Sequence, residues 1–131
     1  MKKIGILNQD LSAVVAGMGH NDMLVVGDAG LPVPMGTRKV DLAVCNGVPG
    51  FRVTVETIAE ELCVEKIIIA KQTKKQSPQV FDELINIFPR AKIELVDHET
   101  LKELCQQAAA VVRTGEFVPY SNVILVSGVV F

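Results

Sequence analysis

Short runs of β-branched residues alternate with stretches of helical periodicity along almost the whole chain, and no other feature constrains the fold as tightly. Residues 11–18 carry Leu11, Val14, Val15 and Met18 at the i, i+3, i+4, i+7 spacing of one helical face, with Asp10 placed to cap and Gly19 to terminate. A strand is expected at 23–26, running into the turn Gly27-Asp28-Ala29-Gly30. Pro32 and Pro34 then keep the chain extended, because proline fixes φ and restricts the residue before it. Further strands are expected at 40–44, 92–96 and 66–70, the last buried on both faces because Ile67-Ile68-Ile69 is apolar throughout. Helices are expected at 55–63 with Thr54 as cap, from Ser77-Pro78 to Pro89, and over 98–109. Residues 122–131 read as β throughout. This order predicts α/β architecture: a single three-layer domain over residues 1–131, with a mostly parallel central sheet and helices on both faces.

Composition narrows the function classes. A chain of 131 residues buries about two-thirds of its unfolded surface, yet 49 % of its residues are hydrophobic and only 21 % charged. That surplus of apolar surface predicts subunit interfaces. No run approaches the roughly 20 apolar residues of a membrane helix, and Asn8 and Asp10 interrupt the N-terminus before a signal-peptide core can form, so a cytoplasmic location is expected. A net charge of −2 argues against nucleic acid, and the one basic run, Lys71-Gln72-Thr73-Lys74-Lys75, reads as a solvated loop. Cys45, Cys63 and Cys105 are odd in number and far apart, and each lies in or beside an apolar run, so buried reduced thiols are expected.

The polar residues are few and well placed. The chain has two histidines, His20 and His98, and imidazole is the side chain that both gives and takes a proton near neutrality. Ligands of open α/β sheets bind at the carboxyl ends of strands, where Asp28 and His98 are expected to lie. Each also has a plainer role: Asp28 as a turn residue, His98 in the first turn of a helix capped by Asp97. Lys102 shares a helical face with His98 and could reach a substrate hydroxyl. Tyr120, Ser121 and Asn122 offer adjacent donors and acceptors, but they precede their strand. They can join the other groups only if that strand runs antiparallel or if they come from another subunit, and the apolar surplus favours the second. Asp28, eight residues from His20, could orient its imidazole and raise its proton affinity. Gly17-Met18-Gly19 follows a helix and lacks a third glycine, which excludes a dinucleotide fingerprint; phosphate-loop and nucleophile-elbow motifs are absent, and no histidine spacing supports a metal.

The ordered set Leu7-Asn8, Gly19-His20-x-Asp22, Asp28-Ala29-Gly30-Leu31-Pro32-x-Pro34 and Arg113-Thr114-Gly115-Glu116-x-x-Pro119-Tyr120-x-Asn122-Val123-Ile124-Leu125 resembles the D-ribose pyranase and L-fucose mutarotase family. Asp-Ala-Gly-Leu-Pro-x-Pro and a histidine at position 98 look like the pyranase branch. The resemblance implies interconversion of β-pyranose and β-furanose D-ribose by cofactor-free acid–base ring opening, supplying a ribokinase. It implies His20 as general acid, Asp28, His98 and Tyr120-Ser121-Asn122 as substrate ligands, and a decamer of two pentameric rings with sites completed across subunits. A fucose-type mutarotase and a non-catalytic sugar-binding protein are the alternatives.

Overall fold

The computed structural model describes residues 1–131. Six strands form one mixed sheet: β1 (Met23–Gly27), β2 (Lys39–Asp41), β3 (Val64–Ala70), β4 (Lys92–Val96), β5 (Ala110–Arg113) and β6 (Val123–Ser127), in the order β2-β5-β1-β6-β3-β4. β1, β2 and β5 pair in parallel, as do β3 and β4, whereas β6 runs antiparallel to both its neighbours, β1 and β3. Five strands therefore share one direction and the sixth opposes them from a central position.

Alternation along the strands divides the core. Leu24, Val26, Ile67, Ile69 and Leu125 face α1 (Gln9–Gly17), α2 (Phe51–Ala59) and α4 (Pro78–Ile87), packing with Val14, Val55, Ile58 and Leu84. Val25, Ile68, Val111 and Ile124 point the other way, onto Leu101 and Cys105 of α5 (His98–Leu104) and the single 3-10 turn Cys105–Gln107 that follows it. Each fully buried Leu or Ile contributes about 1.5–3 kcal/mol, so the two faces together hold the three layers expected. Ile67 and Ile69 lie on one face and Ile68 on the other, all buried, which explains the unbroken apolar run of β3.

Several local expectations are corrected. Asn8, not Asp10, caps α1: its Oδ1 accepts from Leu11 N at 2.9 Å. α2 begins at Phe51 rather than 55, and Thr54 lies inside it, its hydroxyl donating back to Gly50 O at 2.8 Å. The strand expected at 40–44 is shorter and earlier, and the terminal strand stops at Ser127. The helix expected over 98–109 ends early because the chain tightens at Cys105 and then enters β5, whose Ala110 pairs with Leu24 of β1. The run Ala108-Ala109-Ala110 has high helix propensity, and sheet pairing overrides it. The basic run at 71–75 is no loop: it forms α3 (Lys71–Gln76), with Thr73 completely buried. Of the cysteines, only Cys105 is buried, its thiol pushed up to about 11 by burial. Cys45 and Cys63 are exposed because they lie in the turns flanking α2 rather than in the strands beside them. No helix is long and apolar enough to cross a membrane.

Candidate active site

The chain leaves the carboxyl ends of β1, β5, β3 and β4 on one edge of the sheet, and the antiparallel β6 begins there. Loops from that edge line an open cavity of about 590 Å³ whose polar walls are Asp28, His98, Arg113, Glu116, Tyr120 and Asn122. The volume lies within the ordinary range for small-molecule sites. Tyr120 and Asn122 reach Asp28 and His98 inside one subunit because β6 is antiparallel; the expectation that a neighbour supplies them is overturned by that strand direction.

Asp28 and Asn122 form a two-point pair. Asn122 Nδ2 donates to Asp28 Oδ2 at 3.0 Å, and Asp28 N donates to Asn122 Oδ1 at 3.1 Å. Gly27 makes this approach possible: a Cβ there would stand 2.8 Å from Asn122 Oδ1 and 2.5 Å from a Leu31 methyl. Gly30 N donates to the other Asp28 oxygen at 3.0 Å. Burial outweighs these contacts and the His98 charge, and pushes the Asp28 carboxyl above the usual aspartate range. Asp28 therefore holds a proton more readily than a solvated aspartate.

His98 begins α5, and its ring meets the Tyr120 ring edge-on, with centroids 5.1 Å apart at 86°. Asp97 occupies the cap position but makes no side-chain cap bond; Gln72 Oε1 accepts from His98 N instead, at 3.0 Å. His98 Nδ1 is buried with no hydrogen-bond partner in the chain. Tyr120 has φ of +60°, a conformation that costs a non-glycine residue about 1–2 kcal/mol. A turn closed by Asn122 N donating to Tyr120 O at 2.9 Å holds it there.

Arg113, the last residue of β5, and Glu116, from the loop after it, are the residues that sequence reasoning assigned no role. Arg113 Nε donates to Ala29 O at 3.0 Å, while Nη1 lies 3.2 Å from both Asp41 oxygens. Glu116 receives Phe117 N and Val118 N on one oxygen, at 2.9 and 3.0 Å, and Phe51 N on the other at 3.3 Å. Both charged groups are engaged in holding loops, and Ala29 N donating to Glu116 O at 2.9 Å ties the Asp28 turn to them. Recognising β5 would have placed both at a carboxyl end by the rule that found Asp28.

Three expected site residues lie elsewhere. Lys102 pairs with Glu99 at 2.7 Å and does not line the cavity. Ser121 is fully buried, its hydroxyl without a partner, and is likewise outside the lining. His20 precedes β1 and so stands at the opposite edge of the sheet; five strand residues alone put roughly 16 Å between the edges. There its Nε2 lies 3.1 Å from Glu65 Oε2, both side chains about half exposed, and the Ser127 hydroxyl bonds to the neighbouring Gly19 O. Glu65, not Asp28, is thus the carboxylate at His20. The histidines, cysteines and carboxylates form no group of three or more that could hold a metal ion.

The model of the RbsD / FucU transport protein family matches residues 1–130. A D-ribose pyranase of Chloroflexus aggregans is 55 % identical over 131 residues, covering all of both chains. The structure of Bacillus subtilis RbsD complexed with D-ribose superposes with a TM-score of 0.96 at 47 % identity, again over the whole of both chains. A fucose mutarotase from Streptococcus pneumoniae in complex with L-fucose shares the fold at a TM-score of 0.80 and 24 % identity, over 95 % of each chain.

Proposed function

The chain belongs to the RbsD / FucU transport protein family, and from that membership we propose that it interconverts the β-pyranose and β-furanose forms of D-ribose. It is an isomerase. The observation that carries the reading is the cavity itself, where an Asp28–Asn122 pair and a His98–Tyr120 pair gather the donors and acceptors that a polyhydroxylated substrate needs. Full-length identity to pyranases favours ribose over fucose, since likeness to the fucose mutarotase extends to the fold alone.

The chemistry balances on proton transfers. A proton leaves the anomeric hydroxyl, the bond from the anomeric carbon to the ring oxygen breaks, and that oxygen gains a proton, giving the open-chain aldehyde. Closure onto the neighbouring hydroxyl reverses these steps and yields the other ring size. No C–H bond breaks and no electron is transferred, so acid–base groups suffice; such groups typically contribute about 10²–10⁴-fold. Asp28, with its raised proton affinity, takes the anomeric proton, while Asn122, His98 and Tyr120 hold the remaining hydroxyls.

In this reading His20 is the general acid, and its position supports a site shared between subunits. It cannot reach the cavity of its own chain, so it enters the cavity of a neighbouring subunit. Support comes from the half-exposed imidazole and from exposed apolar side chains, including Phe117 on the cavity rim and Ile4, Leu7 and Met35 elsewhere. A ring of subunits, two pentamers forming a decamer, satisfies every site in this way. The enzyme works in the cytoplasm and supplies furanose to a sugar kinase. Saturation-transfer NMR with ribose and with fucose tests the reading. Exchange between ribose ring forms is expected; exchange confined to fucose anomers, or binding without exchange, would overturn it.

A further inference from the structure

The segment from Lys71 to Ser77 carries no catalytic group, yet three of its side chains reach the two elements that wall the cavity. Gln72 Oε1 accepts from the backbone N–H of His98 at 3.0 Å. The Thr73 hydroxyl donates to Tyr120 O at 2.8 Å and the Ser77 hydroxyl to Pro119 O at 2.6 Å. Thr73 and Ser77 lie one helical turn apart, so their hydroxyls meet two consecutive carbonyls of the turn that precedes β6. Thr73 is completely buried and Ser77 nearly so. A helix of six polar residues has no intrinsic stability in water, so α3 persists through what it touches.

We propose that α3 and Ser77 are positioning elements of the active site: Gln72, Thr73 and Ser77 together set the His98 ring against the Tyr120 ring and hold Tyr120 in its left-handed conformation. Tyr120 at φ of +60° is held against its own preference, and its carbonyl receives two donors, Thr73 Oγ1 and Asn122 N. The second donor belongs to the residue that pairs with Asp28, so the Thr73 hydroxyl connects α3 to the whole polar wall. Lys71, 3.8 Å from Asp97, adds a weak exposed contact to the same elements. This inference rests on the functional reading above only for what Tyr120 binds; the fixing of Tyr120 is independent of it.

The chain has one tyrosine and no tryptophan, so its near-ultraviolet circular dichroism in the tyrosine band reports Tyr120 alone. Thr73→Val keeps the shape and removes the donor. The expected result is a diminished tyrosine band and a KM for ribose raised about tenfold, with kcat much less affected because neither His20 nor the Asp28 carboxyl bonds to α3. Thr73→Ser restores the hydroxyl and is expected to recover both the band and KM. A Thr73→Val protein with the wild-type band and KM, or a Thr73→Ser protein no better than Thr73→Val, would overturn the proposal. Should Thr73→Val not fold, Ser77→Ala carries the same pair of measurements, and an unchanged band and KM there would overturn it equally. Wild-type protein that exchanges no ribose would instead strike at the functional reading, while the tyrosine band still decides the role of α3.

Discussion

The two edges of the sheet are built on opposite plans. At the carboxyl edge the cavity's polar side chains are held by neighbours: Asp28 by Asn122, His98 against Tyr120, Arg113 by Asp41, Glu116 by three backbone amides. At the amino edge a half-exposed His20 meets a half-exposed Glu65 across 3.1 Å, beside exposed apolar residues of the C-terminal tail. The first edge gathers its polar groups around a cavity; the second presents a half-exposed imidazole that lines no such cavity. Under the proposed function, binding and proton donation are separated along the strands, and an enzyme divided in this way would be complete only where two copies meet.

The largest effect expected is on turnover. His20→Ala should lower ring exchange about 10²–10⁴-fold and leave both the fold and calorimetric ribose affinity close to wild type, because no cavity wall is touched. A His20→Ala protein with near wild-type exchange would erase the distinction between the edges. Mixing comes next: inactive His20→Ala subunits combined with inactive Tyr120→Ala plus Asn122→Ala subunits should regain up to about one quarter of full activity. Each site then draws its acid from one chain and its walls from another, and random mixing of equal amounts leaves one pairing in four unmutated. No recovery despite demonstrated subunit exchange would mean that each chain completes its own site.

Smaller effects should mark the carboxyl edge. His98→Ala removes one half of the ring pair and is expected to weaken ribose binding about tenfold by calorimetry; unchanged affinity would count against its place in the wall. Protonation gives the subtlest test. Burial raises the Asp28 carboxyl, so on acidification it gains its proton at a higher pH than an ordinary aspartate, and kcat/KM should fall on the acid side correspondingly early. Stability carries the opposite sign. The ionised form is the one penalised in the folded state, so the penalty is fully present above the raised folded value and disappears as pH falls through it towards the unfolded value. The melting temperature of wild type relative to Asp28→Ala should therefore rise on acidification. A relative melting temperature that falls would show that hydrogen bonds, not burial, dominate at Asp28.

The same division explains what the sequence disclosed. Asp28 and His98 could be placed because each follows a strand of unmistakable β character, and a strand's carboxyl end is a general address for ligands. Arg113 and Glu116 stayed without a role because β5, only four residues long, follows an alanine run that favours helix, and only its pairing with β1 makes it a strand. α3 was hidden for the converse reason: Lys71, Lys74 and Lys75 read as solvent-facing, and the buried hydroxyl of Thr73 has no periodic signal. The direction of β6 was the hardest to see. Apolar content determines that Val123 to Val126 are buried but says nothing about which neighbours they pair with, and that direction decides whether Tyr120 belongs to this cavity or another.

β6 is the last strand in sequence and lies between β1 and β3, in the middle of the sheet. Until it inserts, β1 with β5 and β2, and β3 with β4, are two separate half-sheets, each presenting an apolar unpaired edge of the kind that invites aggregation. Most of the chain must therefore leave the ribosome before those edges can be covered, and the pairing that covers them spans long sequence separations, which slows folding. Synthesis and site assembly are consequently ordered in time: the strand whose arrival closes the sheet also brings Tyr120 and Asn122 to the cavity, so a chain that has not finished folding has not yet built its walls.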